Sequence, residues 1–328
     1  MTLTRSMAFA LLMILVGCGS ADDEPASPSA TGSADESETS PAPTATAPVG
    51  SETTGPPSAS PASGALYDDS LRAGVPNQAP GYRLAYYGDS LAHSAQEHVV
   101  EALDAGLRFE FVERTFPGSA MCDWFDEIAQ DRQTGLWGAV LLFSNNTFTP
   151  CMADEAGDRL TGEAAFDKFS VDLQTAVGDL RASGVRVYLP TLPITRSAAE
   201  LEIDDVAIYN ELFAELADGD DGVTVVDAAA AVLGPDGSYV EALPCLPVEP
   251  CVGGVDDDGV AVNLVREPDG AHFCSGGYGE GVEIVPGNCP GWSSGAFRYA
   301  AALTKPIVED GYAEWAADPA SQDPIPTP

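Results

Sequence analysis

The chain has 328 residues and a formal net charge of −37, with 14 lysines and arginines against 51 aspartates and glutamates. Nucleic-acid binding needs clustered basic side chains on the phosphates, so this balance argues against DNA or RNA as a partner. Residues 65–328 are enough for one sizeable core, and no second linker or internal repeat divides them.

The N-terminus has the pattern of an export signal over residues 1–17. Arg5 supplies a positive charge, and the apolar run 7–16 is too short to span a membrane, which takes about 20 residues. The run ends in Leu-Val-Gly-Cys, which resembles a bacterial lipobox and predicts that Cys18 is lipidated and becomes the mature N-terminus. An ordinary signal peptide that happens to contain a cysteine is the alternative.

Residues 18–64 are predicted to be a disordered tether that follows the lipidated cysteine. Residues 19–64 consist of Pro, Ser, Thr, Ala, Gly, Asp and Glu, with Val49 as the only larger apolar residue. Such a segment cannot bury enough surface to offset its chain entropy. We therefore expect a lipoprotein anchored to the bacterial cell membrane on its extracytoplasmic side, with residues 65–328 forming the folded domain.

An even number of cysteines remains after Cys18, which predicts disulfides in an exported domain. Proximity favours Cys245–Cys251 and Cys274–Cys289, and this choice leaves Cys122–Cys151 as the third pair. A zinc site is the alternative, but the chain has no C-x-x-C.

The acidic runs 218–222 and 255–259 lack the ligand spacing of a calcium loop. We expect no metal and no cofactor.

Strand and helix patterns alternate through the domain. Short apolar runs bounded by turn residues predict five strands, at 84–87, 109–113, 139–143, 185–189 and 223–226. Helical periodicity predicts helices at 90–105, 123–133, 162–183, 204–217 and 293–303. The Gly- and Pro-rich segment 234–290 is expected to be irregular, with one short strand at 260–266. Apolar strands between helices predict an α/β fold, a three-layer α/β/α sandwich with a five-stranded parallel sheet.

Candidate catalytic residues follow the predicted strands, at the edge where such sheets bind ligands. Ser90, in Gly-Asp-Ser-Leu, follows the first strand and opens the first helix, whose free N–H groups stabilise negative charge. A serine nucleophile requires a base. His98 lies too far along that helix, and His93 would have difficulty finding a carboxylate behind it. His272 has Asp269 three residues before it, so we predict the triad Ser90, His272 and Asp269.

An oxyanion site is predicted from the loops after the second and third strands. Gly118 follows the second strand, and glycine lets the backbone approach a ligand closely. Asn145 or Asn146, after the third strand, could donate a side-chain N–H. The N–H of Ser90 would be a further donor at the helix N-terminus.

These four motifs together resemble the conserved blocks of the SGNH (GDSL-type) hydrolase superfamily, in order and across the whole domain. The resemblance implies a flavodoxin-like fold, with Ser90 as nucleophile, His272 as base and Asp269 as its orienting acid. It also implies oxyanion donors from Ser90, Gly118 and Asn146. The third block usually reads Gly-x-Asn-Asp, whereas residues 144–147 read Ser-Asn-Asn-Thr. The cysteine-containing segments resemble actinobacterial cell-surface SGNH domains, whose cysteines form disulfides.

The resemblance implies an enzyme, a serine ester hydrolase that acts through an acyl-enzyme. Our preferred substrate is a short-chain ester, or an acetyl ester on a carbohydrate, since no long apolar lid segment is evident. An O-acyltransferase that modifies a surface glycan and a tethered, non-catalytic binding module are the alternatives. The expected partners are a small-molecule or glycan ester and, through the lipid on Cys18, the membrane. We expect a monomer.

Overall fold

The computed structural model describes residues 81–106, 109–144, 146–201, 206–273 and 293–317. All of them lie in the second of the two units into which the chain divides, Ser58–Pro328. The predicted signal peptide, Cys18 and the tether fall outside the described residues, as do Asn145, Cys274 and Cys289. None of the helices in these ranges is both long enough and apolar enough to cross a membrane.

A five-stranded parallel sheet forms the centre of the domain. Its strands are β1 (Tyr82–Gly88), β2 (Phe109–Thr115), β3 (Gly138–Leu142), β4 (Arg186–Pro190) and β5 (Val223–Val226). They lie in the order β2-β1-β3-β4-β5, and each neighbouring pair is parallel. The chain order reverses between β1 and β3, so the crevice at their carboxyl ends is the place where sheets of this type bind ligands.

Helices cover both faces of the sheet, which confirms the predicted α/β/α sandwich. On one face α1 (Ser90–Gly106) packs against α6 (Ser294–Ala317), with His98 edge-on to Phe297. On the other lie α2 (Phe125–Asp131), α3 (Gly162–Ala182) and α5 (Ala207–Asp218). The remaining elements are the short α4 (Arg196–Glu200) and a two-stranded antiparallel sheet of β6 (Ala242–Pro244) and β7 (Val262–Leu264). The sheet residues of β1 and β3 are nearly all buried, as a doubly covered parallel sheet requires.

Most predicted elements differ from the observed ones by a few residues at their ends, and three differ in length or in helix type. The last helix was expected to end at residue 303 but continues through Pro306 to Ala317. A proline inside a helix costs about 3 kcal/mol, but the turns beyond it bury Ile307, Val308 and Trp315, and this burial outweighs the local penalty. The strand expected at 260–266 is limited to β7. The helix expected at 123–133 begins as a 3₁₀ turn, Met121–Trp124, before α2.

Two disulfides connect loops of the described region, Cys122–Cys151 and Cys245–Cys251, the pairings expected from the sequence. The first joins the segment after β2 to the segment after β3, on the edge where the candidate site lies. The second closes a short loop that carries Glu249, whose buried carboxylate accepts hydrogen bonds from Arg298 of α6 at 2.6 and 2.8 Å. The third predicted pair, Cys274–Cys289, lies outside the described residues.

Removing the disulfide between the loops after β2 and β3 should destabilise the domain more than removing the other. The bridged residues are 29 positions apart in Cys122–Cys151 and 6 apart in Cys245–Cys251. The chain-entropy model then gives losses of about 3.6 and about 2.2 kcal/mol in the free energy of unfolding. Guanidinium unfolding of Cys122→Ala/Cys151→Ala and Cys245→Ala/Cys251→Ala would measure both, and an unchanged midpoint for the first pair would contradict the expectation.

Candidate active site

The turn from β1 into α1 presents Ser90 at the carboxyl edge of the sheet. Asp89, not Ser90, caps the helix: its carbonyl accepts from the His93 N–H and its Oδ1 from the Leu91 N–H, both at 2.9 Å. The hydroxyl of Ser90 is therefore not used for capping and points to His272, with its Oγ 2.7 Å from Nε2.

Gly88 makes this sharp turn possible because a side chain has no room there. A Cβ at this position would lie 2.1 Å from the Cβ of Ala92 and 2.4 Å from the carbonyl oxygen of Leu142. The Gly88 carbonyl also accepts from the N–H of Phe116, just beyond β2. The close contact of β1 with its two neighbours therefore continues to the end of the strand.

The second carboxylate oxygen of Asp89 holds the loop after β3. It accepts from both the backbone N–H and the hydroxyl of Ser144, each at 2.7 Å. Burial raises the pKa of Asp89, although the hydrogen bonds from Ser144 and Leu91 act in the opposite direction. Asp89 thus connects the start of α1 to the loop that carries Asn146.

The loop after β7 brings His272 and Asp269 to Ser90. Nδ1 of His272 lies 2.5 Å from Oδ2 of Asp269, and the other carboxylate oxygen accepts from the N–H groups of Ala271 and His272 at 2.9 and 3.1 Å. An ionised carboxylate only accepts hydrogen bonds, which assigns the proton to Nδ1 and leaves Nε2 to accept from the Ser90 hydroxyl. The structure therefore brings the three predicted triad residues into one hydrogen-bonded chain.

The carboxyl group of Asp269 is held in its ionised form. Partial burial raises its pKa, but the hydrogen bonds from the His272 ring and from the N–H groups of Ala271 and His272 lower it more. The net result is a pKa below the ordinary value, so the carboxylate is charged at neutral pH and can stabilise an imidazolium at His272.

Arg196 holds the turn that carries Asp269, and sequence reasoning missed it. Its Nη1 donates to the Pro268 carbonyl at 2.7 Å, and its N–H donates to the Gly270 carbonyl at 3.0 Å. Gly270 has a φ of +73°, and a Cβ there would lie 2.3 Å from the Cβ of Arg196. No local pattern indicates this contact, since residues 196 and 268 are distant in the sequence.

Gly118 and Asn146 lie beside each other at the candidate oxyanion site. The Oδ1 of Asn146 accepts from the Phe148 N–H at 3.0 Å, which fixes the orientation of the amide. Its Nδ2 lies near Gly118, since a Cβ placed on Gly118 would be 3.8 Å from it. Gly118 has a φ of +91°, which favours glycine. The alternative donor, Asn145, lies outside the described residues.

The other two histidines have partners away from Ser90. Nδ1 of His93 lies 3.2 Å from the Thr115 hydroxyl, and Nδ1 of His98 lies 3.0 Å from a carboxylate oxygen of Glu101. Neither histidine shares a hydrogen bond with the serine, in agreement with the prediction of His272 as its partner.

One cluster in the described region has the side-chain types of a metal site. Glu267, Asp269 and His272 offer ligand atoms within 4.8 Å of one another. Two of the three already belong to the hydrogen-bonded chain that ends at Ser90, with Nδ1 of His272 committed to Asp269. A metal ion on these atoms would compete with that chain.

An open cleft of about 440 Å³ lies in front of Ser90 and His272. The residues that line it include Asn146, Ser144, Leu192, Pro193 and Tyr209. The described lining contains no Asp or Glu. The cleft can hold a small ester with its carbonyl group beside Ser90.

No protein-family model and no curated protein matches the sequence. Among solved structures, the chain is similar to a proposed acylhydrolase from Bacteroides fragilis (14% identity, 72% of this chain and 92% of that one, TM-score 0.42). It is similar to a GDSL-like lipase from Bacteroides thetaiotaomicron (13%, 70% and 88%, TM-score 0.41). It is also similar to Axe2, an acetylxylan esterase from Geobacillus stearothermophilus (15%, 47% and 79%, TM-score 0.36). These values describe likeness alone, so the assignment of function depends on the geometry of the site.

Proposed function

We propose that the chain is a serine ester hydrolase of the SGNH (GDSL-type) superfamily. One observation carries the proposal: the continuous chain of hydrogen bonds from Ser90 through His272 to Asp269, with lengths of 2.7 and 2.5 Å. This chain ends in an open cleft that Asn146 also lines, and the Asn146 amide lies near Gly118. Nucleophile, base, orienting acid and oxyanion donors are the parts that acyl transfer requires.

In the proposed reaction Ser90 Oγ attacks the ester carbonyl carbon while its proton passes to Nε2 of His272. The new carbon–oxygen bond gives a tetrahedral oxyanion, which collapses as the bond to the leaving alcohol breaks. His272 returns its proton to that alcohol. Water then attacks the carbonyl carbon of the acyl-Ser90 and loses a proton to His272. The bond from the acyl group to Ser90 Oγ breaks, His272 returns the proton to Oγ, and the free acid leaves.

The oxyanion would be stabilised by the N–H groups of Ser90 and Gly118 and by the Asn146 amide. Ser90 is at the N-terminus of the 17-residue helix α1, where unpaired N–H groups and the helix dipole favour negative charge. The donors are fixed before substrate binds: the Asn146 amide by Phe148, and the loop after β3 by Asp89. Such preorganised donors cost no reorganisation as charge develops.

A short acyl group on a carbohydrate is the proposed substrate class. The cleft of about 440 Å³ is small and open, which suits a short acyl chain more than a long one. Phe148 is 76% exposed at its rim and offers a flat aromatic face of the kind that stacks on sugars.

We also propose that the enzyme is anchored outside the cytoplasm through lipid on Cys18, on the sequence pattern described above. The two disulfides of the described region support export, because disulfides persist in oxidising compartments.

Replacing the lipidated cysteine should release the protein from the membrane. We expect Cys18→Ala to abolish incorporation of radiolabelled palmitate and to move the protein from the membrane fraction of a bacterial host. Wild-type protein in the same host is the control. Equal labelling of the two proteins would contradict the assignment of Cys18.

Variants of the predicted triad should lose activity in the hydrolysis of a chromogenic acetate ester. We expect Ser90→Ala to abolish labelling by a fluorophosphonate probe, and Asp269→Asn to lower kcat by about 10⁴-fold because the ring of His272 loses its tautomer. Ser94→Ala, on the same helix, and Glu267→Gln, beside Asp269, are matched controls that should retain activity.

The stability of the domain should depend on the ionisation of Asp269. Because the pKa of Asp269 is lowered in the folded protein, the stabilisation that its carboxylate provides should be present above about pH 4 and lost as the pH falls further.

Undiminished turnover of the ester by Ser90→Ala would contradict the proposed function. If Glu267→Gln lost as much activity as Asp269→Asn, the orienting acid would be misassigned. Product analysis in the presence of an acetylated glycan should give free acetate, and transfer of the acyl group to a glycan would favour an acyltransferase instead.

The Asn146 amide should contribute to the rate rather than to substrate binding. We expect Asn146→Ala to lower kcat by roughly 10²–10³-fold with little change in KM. Asn146→Asp keeps the acceptor for the Phe148 N–H but replaces the donor by an oxygen, so it should lower kcat at least as much. Normal kcat in Asn146→Asp would mean that the amide does not contact the oxyanion.

A further inference from the structure

We propose that Arg159 binds a negatively charged group of the ester substrate, a carboxylate, phosphate or sulfate, and so selects anionic esters. This inference rests on the proposed function, because it assigns a substrate class to the same cleft. Arg159 lines the cleft together with Ser90, Asn146 and His272. It is the only Arg or Lys among the described lining residues.

Arg159 differs from the other exposed or half-buried basic side chains of the described region in its lack of a carboxylate partner. In the ranges that the structure describes, each other exposed or half-buried Arg and Lys lies within 4.0 Å of an Asp or Glu. Arg159 is exposed and forms no ion pair with any residue in these ranges, although the chain has a net charge of −37. The nearby Asp154 instead accepts from the N–H groups of Ala156 and Asp158 in its own turn. A cation without a carboxylate partner among the described residues is therefore available inside the cleft.

Two contacts hold the guanidinium of Arg159 in place. Its Nε donates to the hydroxyl of the buried Thr147 at 2.6 Å, and its central carbon lies 3.9 Å from the ring centroid of Phe148. These contacts use one N–H and one face of the planar group. Among the described residues the two Nη groups have no partner, and they can bind a carboxylate or phosphate with two parallel hydrogen bonds.

The backbone around Arg159 is also restrained. Arg159 forms an antiparallel bridge with Ala153, and the N–H of Leu160 donates to the Met152 carbonyl at 2.9 Å. The adjacent Cys151 is bonded to Cys122. A cation fixed in advance loses less conformational entropy on binding than a flexible lysine would.

A structural role is the competing explanation, because Arg159 also contacts the loop that carries Asn146. In that case loss of the guanidinium would displace Thr147 and Phe148 and impair the oxyanion site for every ester. Thr147→Val removes the acceptor and leaves the guanidinium in the chain. The two explanations therefore differ in which variants, and which substrates, are affected.

The test compares matched anionic and neutral esters. One pair carries the charge on the alcohol side, as a carboxyphenyl acetate and its methyl ester, and the other on the acyl side, as a monoaryl succinate and its methyl ester. We expect Arg159→Gln to raise KM for the anionic member of at least one pair by about 10- to 100-fold, with kcat within a few-fold. The neutral esters should be unaffected, and Arg159→Lys should restore part of the affinity. Arg132→Gln, which breaks a surface pair with Asp179, is the control.

Added salt should raise KM for the anionic ester in the wild type and much less in Arg159→Gln, because ions screen an exposed charge. An equal loss on neutral and anionic esters, reproduced by Thr147→Val, would overturn the proposal in favour of a structural role. Wild-type turnover of neutral and anionic esters with the same KM would also overturn it.

Binding can be measured separately from turnover. Calorimetric titration of the anionic esters into Ser90→Ala and into Ser90→Ala/Arg159→Gln should show a weaker Kd in the second protein for the ester with the favoured charge. Equal Kd values would overturn the role of Arg159 even if the esterase activity is intact. Loss of the Kd difference and absence of wild-type turnover are thus separate results, one against Arg159 and one against the proposed function.

Discussion

The buried carboxylate of Asp89 connects the end of β1, the start of α1 and the loop after β3. Taking a carboxylate out of water is costly unless donors replace the lost hydration. Here three donors do so: the Leu91 N–H on one oxygen, and the N–H and hydroxyl of Ser144 on the other. Because Asp89 supplies the helix cap, the next residue has its hydroxyl free. Ser90 can then be both the first residue of the helix and the proposed nucleophile.

The same constraint explains why the site lies where the order of the strands reverses. Gly88 is level with Thr115 of β2 and Leu142 of β3, so three strands end together. A side chain at Gly88 would collide with Leu142 and with Ala92 of the helix. The Cys122–Cys151 disulfide then joins the loops that follow β2 and β3. Backbone packing, one buried carboxylate and one covalent bond therefore hold the loops of the proposed oxyanion site in place.

Charge is distributed differently over the protein and within its cleft. Most basic side chains of the described region are neutralised by acidic partners, and the excess of carboxylates keeps the whole chain strongly negative. The described lining of the cleft has no Asp or Glu and retains the guanidinium of Arg159. A strongly acidic protein can therefore present a locally basic site, which net charge alone does not indicate.

Much of the fold was predictable because the relevant signals are local. Apolar runs between helical periods predicted the five parallel strands, with β5 at its observed bounds, and the predicted α1 and α3 begin at the observed residues. Residue chemistry at strand ends also selected Ser90, His272 and Asp269, because the carboxyl ends of parallel strands share one edge of the sheet.

Local signals could not predict features that arise from contacts between distant segments. The predicted last helix ended at residue 303, whereas burial of Ile307 and Trp315 carries α6 past Pro306 to Ala317. Arg196 supports the turn that carries Asp269, and Arg159 lies over the ring of Phe148. No local sequence pattern indicates either contact. The sequence by itself determined which strands the candidate catalytic residues follow and which residue types they are. Only the tertiary structure decided the hydrogen-bond distances, the cap at Asp89 and the position in the cleft of a cation that has no carboxylate partner among the described residues, because packing sets all three.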